Sequence, residues 1–308
     1  MTAARKLEAR APFNLEATVR VLQRRPANRV EVFEGGRYRR LFATSTGPAL
    51  AEVDNRGTID APDIRWAIRH GPGGDDQLGA RLAAMLRLDL DPAPLQRLAE
   101  AEPALRATNR ALRGMRPPRF GEWYEAFGNV IPFQQVSLEA GIAIVGRFIE
   151  RFGEQLEFED RTYYSFPDPT VVADAKLDTI RECGLSRTKA DSMQRIASLI
   201  ASDELSQARI AALPTAEAII TLKELPGIGP WSAGLVMLRG LGRLDVFPPG
   251  DVGAMRGLNK LLQLDPGEPL ERVVERFGEY RGYLYFHALG RSLLDKGSIK
   301  PAPQRQTK

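Results

Sequence analysis

Leu225-Pro-Gly-Ile-Gly-Pro-Trp-Ser-Ala233, followed by Leu238-Arg-Gly240 and then Asp245-Val-Phe-Pro-Pro-Gly-Asp251, is the stretch on which the reading of this chain turns. Gly227 and Gly229 flank one apolar residue, so the backbone can turn sharply and leave N–H groups open to an approaching ligand. A helix can start at Pro230, where a missing N–H costs nothing. Such a turn sets open amides and the positive end of a helix dipole against whatever it meets, a natural seat for a phosphate oxygen. Apolar residues at 216, 218, 219, 220 and 222, and again over 233–241, predict buried helices on either side. The competing reading of the same residues is an ordinary corner between two helices.

Asp251 also has two readings. It follows Pro248-Pro-Gly250 and precedes Val252-Gly-Ala-Met-Arg-Gly-Leu258, the position of an N-cap whose side chain accepts from the next turn's amides. A carboxylate held that way is also immobile, and what else it does depends on its context.

Taken in series, these motifs closely resemble the helix-hairpin-helix DNA glycosylase superfamily, in its 3-methyladenine glycosylase II (alkylbase) branch. Phe133-Gln-Gln-Val-Ser137, Phe166-Pro-Asp-Pro169, Cys183-Gly-Leu-Ser-Arg-Thr-Lys-Ala190 and Tyr280-Arg-Gly-Tyr283 resemble further signposts of that family, in one order over about residues 115 to 295. The resemblance implies an enzyme that binds duplex DNA, flips a damaged base out of the stack, and hydrolyses its N-glycosidic bond to leave an abasic site for base excision repair. Alkylated bases are the implied substrates. Asp251 is then the catalytic carboxylate, stabilising charge on the sugar and orienting or deprotonating water.

The same resemblance distributes the other roles. Pro226, Gly227, Ile228, Gly229 and Ser232 form the phosphate-binding hairpin, and its contacts would position DNA without reading sequence. Bifunctional relatives carry a lysine where this chain has Trp231, and only an amine can form the Schiff base that precedes strand cleavage. A monofunctional enzyme without lyase activity follows, with Trp231 lining the base pocket; the alternative is a core tryptophan anchoring the second helix. Phe133, Leu235, Val252, Tyr283 and Leu289 complete the expected pocket. Leu235, Val252 and Leu289 stand where well-known alkylpurine enzymes carry aromatic walls, a departure that bears on which lesion is bound. Gln135 takes the wedge position that fills the hole left by the flipped base, or else is a polar residue at a helix start. The carbonyls of Lys223, Leu225 and Ile228 are the expected seat of a monovalent cation that helps bind phosphate. Two other functions stay open: a DNA-binding module without catalysis, and a glycosylase for deaminated or oxidised bases.

Composition narrows the classes. With 308 residues the chain can hold about two domains, and 43 Lys plus Arg against 39 Asp plus Glu give a net charge of +4, compatible with a polyanion but not diagnostic of one. The single Cys183 excludes an internal disulfide and a four-cysteine iron–sulfur cluster, and with just His70 and His287 no zinc site is expected. No cofactor is required by this reading. Each histidine is expected to be packed or at the surface. No apolar run is long enough to span a bilayer, and the start lacks a signal core, so a cytoplasmic protein is expected; a monomer associated with the nucleoid is expected as well.

The fold class expected is α+β, a small antiparallel sheet with helices followed by a mostly α-helical region. Residues 17–21, Val30-Glu-Val-Phe33 and Tyr38-Arg-Arg-Leu-Phe42 read as strands, with Gly35-Gly36 as a hairpin turn, and residues 57–61 and 63–69 continue the pattern. After Gly71-Pro-Gly-Gly74 the spacing becomes helical at Leu78, Leu82, Met85, Leu86, Leu95 and Leu98. Arg37, Arg39 and Arg40 on the hairpin either reach phosphates or are simply solvated. Met115-Arg-Pro-Pro-Arg119 divides an N-terminal domain, 1–115, from a helical region, 116–296. The tail, 297–308, is Pro-rich, charged and expected to be disordered.

Overall fold

The computed structural model describes residues 3–72, 76–262 and 269–303. Gly73 and Gly74 of the expected transition, and the last five residues of the tail, lie outside the described residues. The N-terminal part contains β1 (Arg5–Leu7), α1 (Leu15–Gln23), β2 (Val32–Glu34), β3 (Arg37–Phe42), β4 (Ala49–Asn55), β5 (Ile64–His70) and α2 (Asp76–Leu86). Its strands pair antiparallel in the order β1-β5-β4-β3-β2. Gly35 and Gly36, with φ of 55° and 76°, close the β2–β3 hairpin as a two-residue turn needing positive φ at both positions. Alternate residues of β5, Ile64, Trp66 and Ile68, point into a core shared with Leu78, Leu82, Met85 and Leu86 of α2.

Residues 17–21 are helix, not strand. Asn14 caps α1, its Oδ1 accepting the Ala17 N–H at 3.0 Å, and Glu16 complements the dipole in the first turn. The alternation that resembled a strand arises because α1 is buried on two sides. Leu15, Val19 and Leu22 pack into the sheet's core, while Ala17 and Val21 pack into the core of the helical part. Residues 57–61 are a turn rather than strand, held by Asn55 Oδ1, which accepts the N–H groups of Gly57 and Asp63 at 3.0 Å each.

Next come α3 (Ala93–Ala101), α4 (Pro103–Ala111), α5 (Trp123–Gly128), α6 (Leu138–Phe152), the hairpin β6 (Gln155–Phe158) and β7 (Arg161–Tyr164), α7 (Pro169–Ala173), α8 (Leu177–Arg181) and α9 (Arg187–Ala201). The chain continues through α10 (Gln207–Ala212), α11 (Thr215–Lys223), α12 (Pro230–Leu235) running on as a π-helical stretch over Val236–Leu241, α13 (Val252–Leu262), α14 (Leu270–Arg276) and α15 (Arg281–Asp295). The α+β class is as expected, with a small sheet preceding a mostly helical region.

Packing crosses the expected division at residue 115. Ala99 of α3 and Leu105 of α4 share a core with Leu258, Leu261 and Leu284 from α13 and α15, so these two helices belong by contact to the helical part. Tyr163 of β7 packs on Val32, Leu41 and Leu50 of the sheet from the other direction. Arg40 is not free to reach a phosphate. It is buried between Glu31, which its Nη1 meets, and Glu125, whose Oε2 lies 2.6 Å from its Nη2. Burial pushes the Glu31 carboxyl above its ordinary range, and the Arg40 charge pulls it back. Arg39 pairs with Glu52 and Glu159 at 2.6 and 2.7 Å, leaving Arg37 as the exposed one of the three.

The tail is packed as far as it is described. Gly297 has φ of 67°, Ser298 N–H reaches the Leu293 carbonyl at 2.8 Å, and Ile299 is buried, the pattern of a helix C-cap closed by an apolar contact. Ala302 N–H then bonds the Ala111 carbonyl at 2.8 Å.

Candidate active site

The hairpin joins α11 to α12. Gly227 has φ of 73°, and a Cβ there would stand 2.5 Å from Ser192 Oγ on α9, so both torsion and space require glycine. Ile228 buries its side chain and donates its N–H to the Leu225 carbonyl at 3.2 Å, closing the turn. Gly229 caps α12 and Pro230 opens it. The first N–H groups of such a helix have no intrahelical partner, so the turn presents donors outward.

The loop before α6 is tied to this hairpin by Gln134. Its Nε2 donates to the Gly227 carbonyl at 2.8 Å and to Ser232 Oγ at 2.9 Å, while Lys189 Nζ donates to the Gln134 carbonyl at 2.6 Å. Gln135 follows with φ of 53°, exposed at the loop's apex. A left-handed non-glycine residue costs about 1 kcal/mol or more, and the ties through Gln134 hold it there.

Asp251 caps α13, its Oδ1 accepting Ala254 N–H at 2.8 Å. Its Oδ2 accepts the indole N–H of Trp231 at 2.9 Å, so capping and facing the hairpin's helix are done by one carboxylate. Asp251 opens onto a cleft of about 510 Å³ between α1, α13 and α15, lined by Arg24, Leu138, Ala254, Tyr285 and Leu289 among others. Gly253 and Gly257 are two of the α13 residues lining it, and a Cβ at Gly257 would come within 3.2 Å of Ala288. Arg256, Lys260 and Arg291 add positive charge along it, with Lys260 and Arg291 shared by Asp295.

Of the expected pocket residues, Leu289 shares the cleft with Asp251, and Trp231 reaches it through the hydrogen bond. Phe133 lines a neighbouring hollow under α1 and touches the cleft through Arg24, whose guanidinium sits 6.0 Å from its ring. Leu235 and Tyr283 are buried in the core instead, Tyr283 with its ring edge-on to His287 at 4.4 Å. Val252 is 67% exposed on the outer side of α13. The structure does not bring these three to the cleft wall: in α13 and α15, helical spacing turns positions 252 and 283 away from positions 251 and 289.

Sequence reasoning did not single out Arg24 or give Tyr285 a role. Arg24 lies just after the segment that read as a strand, with no motif around it. Leu238-Arg-Gly240 proves to be a packing motif, Arg239 being buried against Phe120 and Phe286 at 4.7 and 5.6 Å, with burial lowering its pKa to about 10. His287 is buried and His70 exposed. Among the described residues no three His, Cys, Asp or Glu side chains form a group able to hold a metal ion, and no helix is long and apolar enough to cross a membrane.

Residues 129–280 match the sequence profile of the HhH-GPD superfamily base excision DNA repair proteins, and residues 4–122 match that of the AlkA N-terminal domain. The chain is 27% identical over 203 residues to a DNA-3-methyladenine glycosylase of Bacillus subtilis, covering 65% of this chain and 67% of that protein. It is 28% identical over 255 residues to DNA-3-methyladenine glycosylase 2 of Escherichia coli, covering 78% and 83%. Against several of the curated relatives it spans little more than half their length, 56% and 51% in two cases. A solved 3-methyladenine DNA glycosylase from Archaeoglobus fulgidus superposes with a TM-score of 0.77 at 24% identity, over 93% of this chain and 98% of that one, a likeness of fold.

Proposed function

Because the chain belongs to the HhH-GPD superfamily of base excision DNA repair proteins, with the AlkA N-terminal domain preceding that region, we propose that it is a monofunctional DNA glycosylase acting on alkylated bases in duplex DNA. The observation that carries the proposal is Asp251, a carboxylate held by two N–H donors at the mouth of a cleft whose size suits one nucleotide. In the reaction proposed, the hairpin amides grip a phosphate and the target nucleotide swings out of the stack into the cleft. Gln135 fills the space it leaves. As the base departs, positive charge grows on the sugar; Asp251 stabilises it and directs the water that completes hydrolysis.

The carbonyls of Lys223, Leu225 and Ile228 lie at the end of α11 and its following turn, where helix carbonyls run out of intrahelical partners. We propose that these carbonyls hold a monovalent cation that would offset phosphate charge there, Leu225 already accepting the Ile228 N–H. Lack of lyase activity rests on Trp231, which offers no amine where bifunctional relatives carry a lysine. Lys260 and Lys296 also line the cleft, and Lys260 Nζ stands 3.7 Å from Asp295. Borohydride added during turnover tests this: no trapped enzyme–DNA adduct is expected, and an adduct overturns it.

The main test is base release from duplexes bearing single alkylated, deaminated or oxidised bases, comparing the native protein with Asp251→Asn. Release that is strongest on alkylated bases and disappears in the variant, with DNA binding kept, supports the reading. Binding without release by either protein favours a non-catalytic module instead.

A further inference from the structure

Arg24 occupies a place that helix α1 does not need it to occupy. It is the C-cap of α1, a non-glycine residue with φ of 57° and ψ of −41°, outside the regions an L side chain normally adopts. Strain of that kind persists where surrounding structure enforces it. Arg24 lines the cleft that Asp251 faces, and the neighbouring hollow that holds Phe133. There its Nη2 stands 3.5 Å from the Tyr285 hydroxyl, at the limit of a hydrogen bond, and its Nε is buried with no partner. An arginine that is so loosely held, always charged, and rich in N–H donors is free to take new acceptors.

The cleft's other walls point the same way. Leu138, Ala254, Ala288 and Leu289 are aliphatic, and Tyr285 supplies the aromatic surface among the lining residues. A cationic ring is held best by stacking on electron-rich rings, and it is repelled by a guanidinium in a partly desolvated site.

We infer that Arg24 makes this cleft select neutral alkylated bases bearing carbonyl or ring-nitrogen acceptors over alkylated bases that carry a formal positive charge. The inference rests on the base-excision reading above and narrows its substrate class. The guanidinium N–H groups bond the acceptor edge of a neutral base and favour its departure, because negative charge grows on those atoms as the glycosidic bond breaks. A base already cationic is a weaker acceptor at that contact and meets a like charge there.

The test separates this claim from catalysis by measuring binding in the Asp251→Asn chain. Dissociation constants are taken for two duplexes, one with N7-methylguanine, a cationic alkylated base, and one with 1,N6-ethenoadenine, a neutral alkylated base with ring-nitrogen acceptors. Arg24→Gly removes the charge while suiting the positive φ, so the fold is kept; Arg24→Lys keeps the charge. The ratio of the two constants is expected to shift toward the cationic base by about tenfold in Arg24→Gly, and to stay near the parent value in Arg24→Lys. An unchanged ratio in Arg24→Gly overturns the inference. In the Asp251-intact protein, release of neither base would count against the glycosylase reading itself, while the binding ratio still decides the role of Arg24.

Discussion

The indole N–H of Trp231 donates to Asp251 Oδ2 across 2.9 Å, while Oδ1 of the same carboxylate takes the Ala254 N–H at 2.8 Å. With one donor on each oxygen, the plane of the carboxylate is set by two different helices. Trp231→Phe keeps most of the ring's packing and removes one of those donors. A hydrogen bond to a charged group is worth roughly 1.5–3 kcal/mol, so base release should slow by about tenfold or more while DNA affinity holds. Single-turnover release rates beside a binding isotherm read both; native rates in the Phe variant would remove the orienting role.

Gly227→Ala is expected to lose on two counts, since its φ is 73° and the new Cβ would meet Ser192 Oγ at 2.5 Å. The torsional part alone costs on the order of 1–3 kcal/mol. Thermal melts should fall accordingly and DNA affinity should weaken at every salt concentration. Adding Ser192→Ala should recover part of the stability, because it clears the contact and leaves the torsion.

The hairpin and Asp251 were legible because the chemistry that shapes them is local. Glycine at a positive φ, proline at the first helical position and aspartate three residues before the amide that donates to it are each written within a few residues of where they act. The cleft was only partly legible. Leu289 and Asp251 meet there through the packing of α13 on α15, and Arg24 arrives from the end of α1, 227 residues earlier in the chain than Asp251, through contacts no short window contains. Helix α1 itself was misread for a related reason. Burial on two sides yields alternating apolar residues in a helix, and alternation is the signature of a strand with one buried face.

Arg40→Ala would leave Glu31 and Glu125 buried against one another with their shared cation gone. Breaking a buried pair by removing one partner costs roughly 3–5 kcal/mol. Urea denaturation should show that loss, and Glu31→Gln in the Arg40→Ala background should return part of it by removing one of the two facing carboxylates.

His287 should make stability depend on pH. Burial lowers its pKa to about 4, from an ordinary value of 6.5, so the folded state resists a proton that the unfolded chain accepts. Its contribution is therefore complete above about pH 6.5 and is lost as pH falls toward 4, an effect of roughly 3 kcal/mol at most. Across that window the melting temperature of the native protein should fall relative to that of His287→Leu as the medium is acidified. Parallel curves would contradict the assignment.

Helix α1 sits with one face in each of two cores, and α3, α4 and the described end of the tail lean on elements from the opposite half of the molecule. Severing the chain near Met115 would therefore not yield two working modules. Each fragment would carry half of a contact surface made for the other, greasy and open to solvent, and neither would outlive the other's removal. The molecule is expected to melt as one cooperative body, so damage to the sheet registers at the cleft as loss of folded protein, even where no residue of the sheet approaches the DNA.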